Sequence, residues 1–201
     1  MGRHVRLRNI EIADVDFLYR LHTVPEVGYR LRLRGATPRP EAFIESFWEG
    51  VLVQFMIEAR QTREPIGVIS AYSANMRDGW TYMAQASQPR FIGTGWSIEG
   101  LAVFVDYLFA LWDFRKLYSE AVAYNFDQFA SGAGRYFELE GCFKNHQYYA
   151  GRYWDMHVLS ITRASWEQVR PDMLRHLADP ATVEGSTELR TMRPQVSRDV
   201  P

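Results

Sequence analysis

Apolar and polar positions alternate along HVRLRNIEI (4–12), where Val5, Leu7 and Asn9 oppose Arg6, Arg8 and Ile10. That two-residue period predicts an opening strand. Asp14 can then cap a helix that buries Phe17, Leu18 and Leu21. A loop-rich stretch over 24–40 follows, and YRLRLR within it alternates like a short extended segment. Pro40 and Glu41 open a second helix with Phe43, Ile44, Phe47 and Trp48 facing inward. Three strands come next, over 51–60, 65–74 and 80–87, joined by the hairpin-like turns TREP and NMRDG. From Trp96 to Trp112 the apolar residues Ile98, Leu101, Val105 and Leu108 recur at helical spacing.

KLYSEAVAYN (116–125) reads as another strand, and FDQFASGAGRYFELEG as a helix-like or irregular segment weakened by Gly132 and Gly134. Residues 142–163 read as two strands joined by an Ala-Gly turn. Past Trp166 there is no aromatic residue, and four prolines punctuate a polar C-terminal extension. A short docked helix and then flexible chain are expected there. The order β–α–α–β–β–β–α–β–α–β–β predicts an α+β fold. The central helix links two strands as a right-handed parallel crossover, and the other pairings can be antiparallel.

Composition narrows the classes. The 201 residues are 47% hydrophobic and 14% aromatic, enough for one domain with a real core. The net charge of −1 argues against a general nucleic-acid binder. Eight Arg against four acids make residues 1–40 locally +4. A single cysteine, Cys142, leaves neither an intrachain disulfide nor a cysteine cage for zinc. No run approaches the roughly 18 apolar residues of a membrane span, and the N-terminus has no apolar signal core. These features fit a soluble, cytoplasmic protein without metal or membrane partner.

The chemistry concentrates in QPRFIGTGWSIEGL (88–101), where Gly93 and Gly95 sit between a strand and a helix. It is not a Walker loop, since GxxxxGK[ST] is missing, and Ile98 stands where GxGxxG requires glycine. What remains is a strand-to-helix turn whose unpartnered N–H groups and helix dipole favour a pyrophosphate. Small residues at 93 and 95 allow close backbone approach.

Arg90-Phe91-Ile92-Gly93-Thr94-Gly95 matches the [Q/R]xxGx[G/A] loop, and the chain resembles the GNAT superfamily of acyl-CoA-dependent N-acyltransferases. With KLYSEAVAYN, ELEGCF and YYAGRYWDMHVLSITRASW in order, it looks most like the ribosomal-protein N-acetyltransferase branch. The resemblance implies a mostly antiparallel mixed sheet with a splayed parallel strand pair, flanked by helices. It implies a GNAT domain over 1–166 and an extension over 167–201. It also implies acetyl-CoA, or another acyl-CoA, as co-substrate. Arg90 through Gly95, with Trp96, would hold the CoA pyrophosphate. The strand around Met83, Gln85 and Ser87 would run beside pantetheine, and Asn125 would contact the pantetheine arm.

Amide formation from a thioester requires a deprotonated amine, a stabilised oxyanion and an outlet for the thiolate. Many GNAT proteins carry a glutamate on the strand before the loop, whereas WTYMAQAS has no acid. Gln85 can orient a water there. Tyr136 and Ser131 are candidate proton donors to the thiolate, and His22, Glu138 and His146 candidates for deprotonating the amine. Each has a packed, structural alternative, and Asp155 is expected to pair with an arginine. Arg30, Arg32, Arg34 and Arg39 would recruit an acidic acceptor or an acyl carrier protein, or simply form a solvated face. Phe47, Trp48, Phe55, Tyr72 and Trp80 could line an acyl pocket, with core packing as the default.

The expected activity is transfer of an acyl group, most simply acetyl, to a primary amine on a small molecule or peptide N-terminus. One alternative is a longer or carrier-bound donor in a biosynthetic pathway. Another is a non-catalytic acyl-CoA-binding or scaffold protein. The aromatic C-terminal strands suit a homodimer.

Overall fold

The computed structural model describes residues 2–24, 28–29, 31–92, 94–130 and 136–177. Strands β1 (Val5–Arg8), β2 (Val51–Ala59), β3 (Pro65–Asn75), β4 (Trp80–Ser87), β5 (Lys116–Val122), β6 (Glu138–Tyr149) and β7 (Arg152–Thr162) form one seven-stranded sheet. Its order is β1-β2-β3-β4-β5-β7-β6. Every pairing is antiparallel except β4 with β5.

The helices are α1 (Val15–Thr23), α2 (Pro40–Phe47), α3 (Trp96–Leu111), α4 (Ala123–Ala130) and α5 (Arg163–Leu177). α3 is the crossover between β4 and β5. It packs with β1, β3 and α5 over the main core, which gathers Ile57, Ile69, Met83, Phe104, Leu108, Leu117 and Ile161. Gly100 lets it lie close to β2, because a Cβ there would meet Ile57 at 3.1 Å. α1 and α2 cover a second core on the opposite face, formed by Leu18, Leu21, Phe43, Met56, Val68 and Ala86. Strand alternation therefore sends odd residues of β4 and β5 toward α3 and even ones toward α1 and α2.

Several local expectations are revised. Asp14 stands at the N-cap of α1 but does not cap it. Its carboxylate instead takes Arg8 through both oxygens at 2.6 and 2.7 Å, together with the Glu11 N–H. In α2, Phe43 is buried and Phe47 half-buried, while Ile44 and Trp48 are 47% and 51% exposed. A helix of eight residues buries one i, i+4 stripe, and 44 and 48 form the next. Within YRLRLR, residues 31–34 form a bend and turns, and Leu31 and Leu33 reach the second core. The strand over 116–125 stops at Val122, so Tyr124 and Asn125 occupy the first turn of α4. β6 begins at Glu138, and β6 and β7 meet at Ala150-Gly151, both with positive φ. α5 carries the chain past position 166, with Trp166 and Met173 in the main core. The tail expected beyond 177 lies outside the described residues.

Candidate active site

β4 and β5 pair only through Trp80↔Lys116, Thr81↔Leu117 and Tyr82↔Tyr118. On its other side β4 stays paired with β3 as far as Ser87. From Met83 onward β4 therefore has a free edge facing a gap, in the middle of the sheet. Ala84 is exposed there, although it belongs to a central strand. This opening reaches both faces, and each face carries a distinct set of groups.

On the α3 face, Gln85 donates through Nε2 to the Ser97 carbonyl at 3.0 Å and to Ser87 Oγ at 3.1 Å. Ser97 Oγ also donates to Ser87 Oγ at 3.0 Å, so β4 is fastened to the first turn of α3. Gln85 Oε1 is buried without a hydrogen-bond partner among the described residues, and so is Asn125 Oδ1 beyond the end of β5. A third such atom, His157 Nδ1, lies on β7 opposite Ala121. Buried acceptors left unsatisfied are costly, and two beside one gap mark a place for donors from a bound molecule. The pantetheine arm of CoA carries two amide N–H groups, so the residues present fit it.

The loop at the start of α3 completes this face. Gly95 is the N-cap residue at φ +84°, a conformation that favours glycine, and a Cβ there would find open space. The Thr94 N–H and Oγ1 both return to the Phe91 carbonyl, at 3.3 and 2.8 Å. Phe91 stacks on Trp96, and His4 stacks on the Trp96 ring. Buried Glu99 accepts from the His4 N–H at 2.7 Å and the Val5 N–H at 3.2 Å, and its other oxygen lies 2.9 Å from His4 Nδ1. It thereby ties β1 to the first turn of α3. Arg90 pairs with Glu64 and lies 4.9 Å over the Phe91 ring. Ile92 is exposed, and Gly93 lies outside the described residues.

On the α1 and α2 face an aromatic row borders the same gap. Tyr72 and Tyr82 lie 5.8 Å apart by ring centroids, Tyr82 and Tyr118 5.4 Å, and Trp80 and Tyr118 6.0 Å. Glu120 follows Tyr118 on this face of β5, exposed and without an ion pair or hydrogen bond among the described residues. Burial pushes the Tyr72 phenol up to about 12, and the Glu120 charge pushes the same way. Burial and Glu120 also raise Tyr82.

A family profile, the Acetyltransferase (GNAT) domain, matches residues 4–130, well over half of the chain. The chain belongs to the GNAT acetyltransferase family. This acetyltransferase shares its fold with a spermidine N-acetyltransferase from Vibrio cholerae solved with CoA and spermine, at TM-score 0.69 and 18% identity. That match covers 82% of this chain and 98% of the other. A GNAT-family acetyltransferase from Bacillus anthracis matches at TM-score 0.65 and 12% identity, over 81% of this chain and 96% of the other. No curated protein matches. The expected kinship with the ribosomal-protein branch is overturned, because most of these structural relatives are of the spermidine N-acetyltransferase type. The loop and the helix after it lie within the stretch that the family profile matches and could not separate the branches of the family. The protein is thus an enzyme, an acyl-CoA-dependent N-acetyltransferase, and the scaffold alternative falls.

In this acetyltransferase the other sequence candidates scatter. Met83 is buried in the main core and supports the gap from beneath. Tyr136 is half-buried beside Phe137 at the head of β6, against the same core. Ser131 and Arg30 lie outside the described residues. His22 is buried, with Nδ1 2.8 Å from the Leu18 carbonyl oxygen and its ring against Phe43 and Phe47. Burial depresses its pKa, which suits a packed neutral ring. His146 is exposed beside Phe143, and Glu138 is exposed at the start of β6. Asp155 pairs with Lys144 at 2.8 Å, so its partner is a lysine where an arginine was expected.

Arg32 is exposed and donates to the Glu49 carbonyl at 3.3 Å, and its charge is felt by Tyr72. Arg34 is exposed at φ +50°. The proposed acyl-pocket aromatics divide between the faces. Phe55 packs on Phe104 and Tyr107 beneath α3, whereas Tyr72 and Trp80 belong to the opposite row. Glu120 was missed by the sequence reading. A lone acid inside the strand after the crossover helix was its only signal. Among the described residues no group of three or more His, Cys, Asp or Glu could hold a metal ion, and no helix is long and apolar enough to cross a membrane.

Proposed function

We propose that this enzyme holds acyl-CoA on the α3 side of the β4–β5 gap and transfers the acetyl group to a primary amine arriving from the α1 and α2 side. The observation that carries the reading is the pair of orphaned buried oxygens, Gln85 Oε1 on β4 beyond its pairing with β5 and Asn125 Oδ1 just past the end of β5. The pantetheine amides satisfy them. The pyrophosphate rests on the loop from Arg90 to Gly95 at the N-terminus of α3, where unpartnered N–H groups and the helix dipole favour anions. Backbone N–H groups on the free edge of β4 polarise the thioester carbonyl. Tyr136 gives the departing thiolate its proton, with Ser131 as the alternative.

The amine attacks directly, without a covalent enzyme intermediate. The described aromatics are divided between two faces, which favours acetyl over longer donors. Spermidine, the substrate in the names of the structural relatives, is the first small amine to try. Exposed Arg32 and Arg34 then serve as a solvated face, since a carrier-protein donor or an acidic acceptor does not suit an amine-acetylating site. A homodimer forms through β6, one of the two edge strands of the sheet, which exposes Leu139, Phe143 and Tyr148.

Calorimetric titration with acetyl-CoA tests the donor site. Gln85→Ala and Asn125→Ala should each weaken binding by about 2- to 12-fold, the worth of one hydrogen bond. Unchanged affinity in both would remove the assignment.

A further inference from the structure

The geometry points to Glu120 as the group that receives the acceptor as an ammonium ion and takes its proton. The inference rests on the function proposed above and names the class of acceptor: an aliphatic amine that is charged in solution. Among the described residues, Glu120 is an exposed acid on the acceptor face of β5, two residues past the end of β4–β5 pairing and without an ion pair. The nearby Glu140, by contrast, is bound by Lys116 and Ser160, both at 2.6 Å. The row of Tyr72, Tyr82, Tyr118 and Trp80 runs alongside, and aromatic rings beside a carboxylate suit a cation with an apolar stem. Charged and titratable neighbours on this face are the three tyrosines, Arg32 across from Tyr72, and the Lys116–Glu140 pair. β4 carries no acid, so Glu120 is the carboxylate that the described residues offer where β4 and β5 part.

The step balances as follows. The ammonium ion gives one proton to the Glu120 carboxylate. The freed lone pair attacks the thioester carbon, forming the C–N bond and an oxyanion intermediate whose collapse breaks the C–S bond. The second proton of the nitrogen leaves with collapse of the intermediate and restores the one that Tyr136 gives the CoA thiolate, and Glu120 returns its proton to solvent.

Benzylamine and aniline make a matched test, since the first arrives charged and the second neutral. In Glu120→Gln, kcat/KM for benzylamine should fall by about 100-fold or more, the range of general-base catalysis. Aniline should lose less than about 10-fold, and acetyl-CoA affinity by calorimetry should be unchanged. Equal losses for both amines, or no loss for either, would overturn the assignment. Wild-type enzyme that binds acetyl-CoA yet acetylates neither amine would overturn the acceptor class and this role together. Wild-type enzyme that fails to bind acetyl-CoA would instead sink the donor site.

Discussion

Tyr29, in the connection between α1 and α2, lies flat on Tyr149 of the β6–β7 hairpin, with ring centroids 4.0 Å apart and planes 2° from parallel. Tyr124 in the first turn of α4 packs against both rings, and its hydroxyl accepts from Gln147 Nε2 at 2.8 Å. Three segments distant in sequence are thus joined, one of them the α1–α2 connection whose Leu31 and Leu33 pack on the second core. An offset aromatic pair contributes about 0.5–1.5 kcal/mol beyond its buried area. Tyr149→Ala should therefore raise KM for the amine by about 2- to 12-fold and leave acetyl-CoA affinity alone. Steady-state kinetics with calorimetry checks this, and equal effects on both substrates would contradict it.

Gly95 supports the loop by conformation, and the space beside it is open. Gly95→Ala strains a positive φ by about 1–2 kcal/mol, and Gly95→Trp also fills the space assigned to the pyrophosphate. Acetyl-CoA binding should weaken modestly in the first and by about 100-fold or more in the second, with both proteins still melting cooperatively. Full affinity in Gly95→Trp would place the pyrophosphate elsewhere.

Gly67 on β3 is needed for packing. A Cβ there would come within 2.0 Å of the Ala86 carbonyl oxygen, a backbone atom with little freedom to retreat. Gly67→Ala should cost about 1–3 kcal/mol and distort β4 beside the gap. Urea unfolding measures the loss, and a variant as stable as the wild type would show that the strands part more easily than this packing allows.

Acid should weaken the fold in two windows. Burial tends to raise the Glu58 carboxyl, but hydrogen bonds from Arg8 and Arg6 outweigh it and hold its pKa below the ordinary 4.5. The Arg8 hydrogen bonds hold Asp14 below 3.8. Both groups are depressed in the folded state, so their stabilisation is complete above those ordinary values and is lost as pH falls through the folded ones. Buried His22 is depressed from 6.5, so the unfolded chain gains a proton first and stability already declines below that pH. Melting temperature against pH should show both declines, and His22→Phe should remove only the upper one. An unchanged upper decline in that variant would exonerate His22.

How far the site was legible depends on range. α3 and its loop were readable because helical spacing and the Gly-Thr-Gly turn are local features. Asn125 was placed on a strand because nothing in AVAYN marks where pairing with β7 ends, which depends on a strand far along the chain. YRLRLR misled for a related reason: its leucines alternate because successive turns reach one core, not because the backbone is extended. Glu120 escaped notice because its importance arises where β4 and β5 part, and a strand's own alternation says nothing of where its neighbour leaves. The tyrosine row is likewise assembled across β3, β4 and β5, and no single segment displays it.

The most direct test of the account is the release of CoA thiol from acetyl-CoA by the purified enzyme, followed with and without a panel of primary amines that includes spermidine. Product should be counted by mass in the same samples. The account predicts amine-dependent release, with one N-acetylated amine formed for each CoA. Release that does not depend on amine, or no release with any amine despite acetyl-CoA binding, would contradict it.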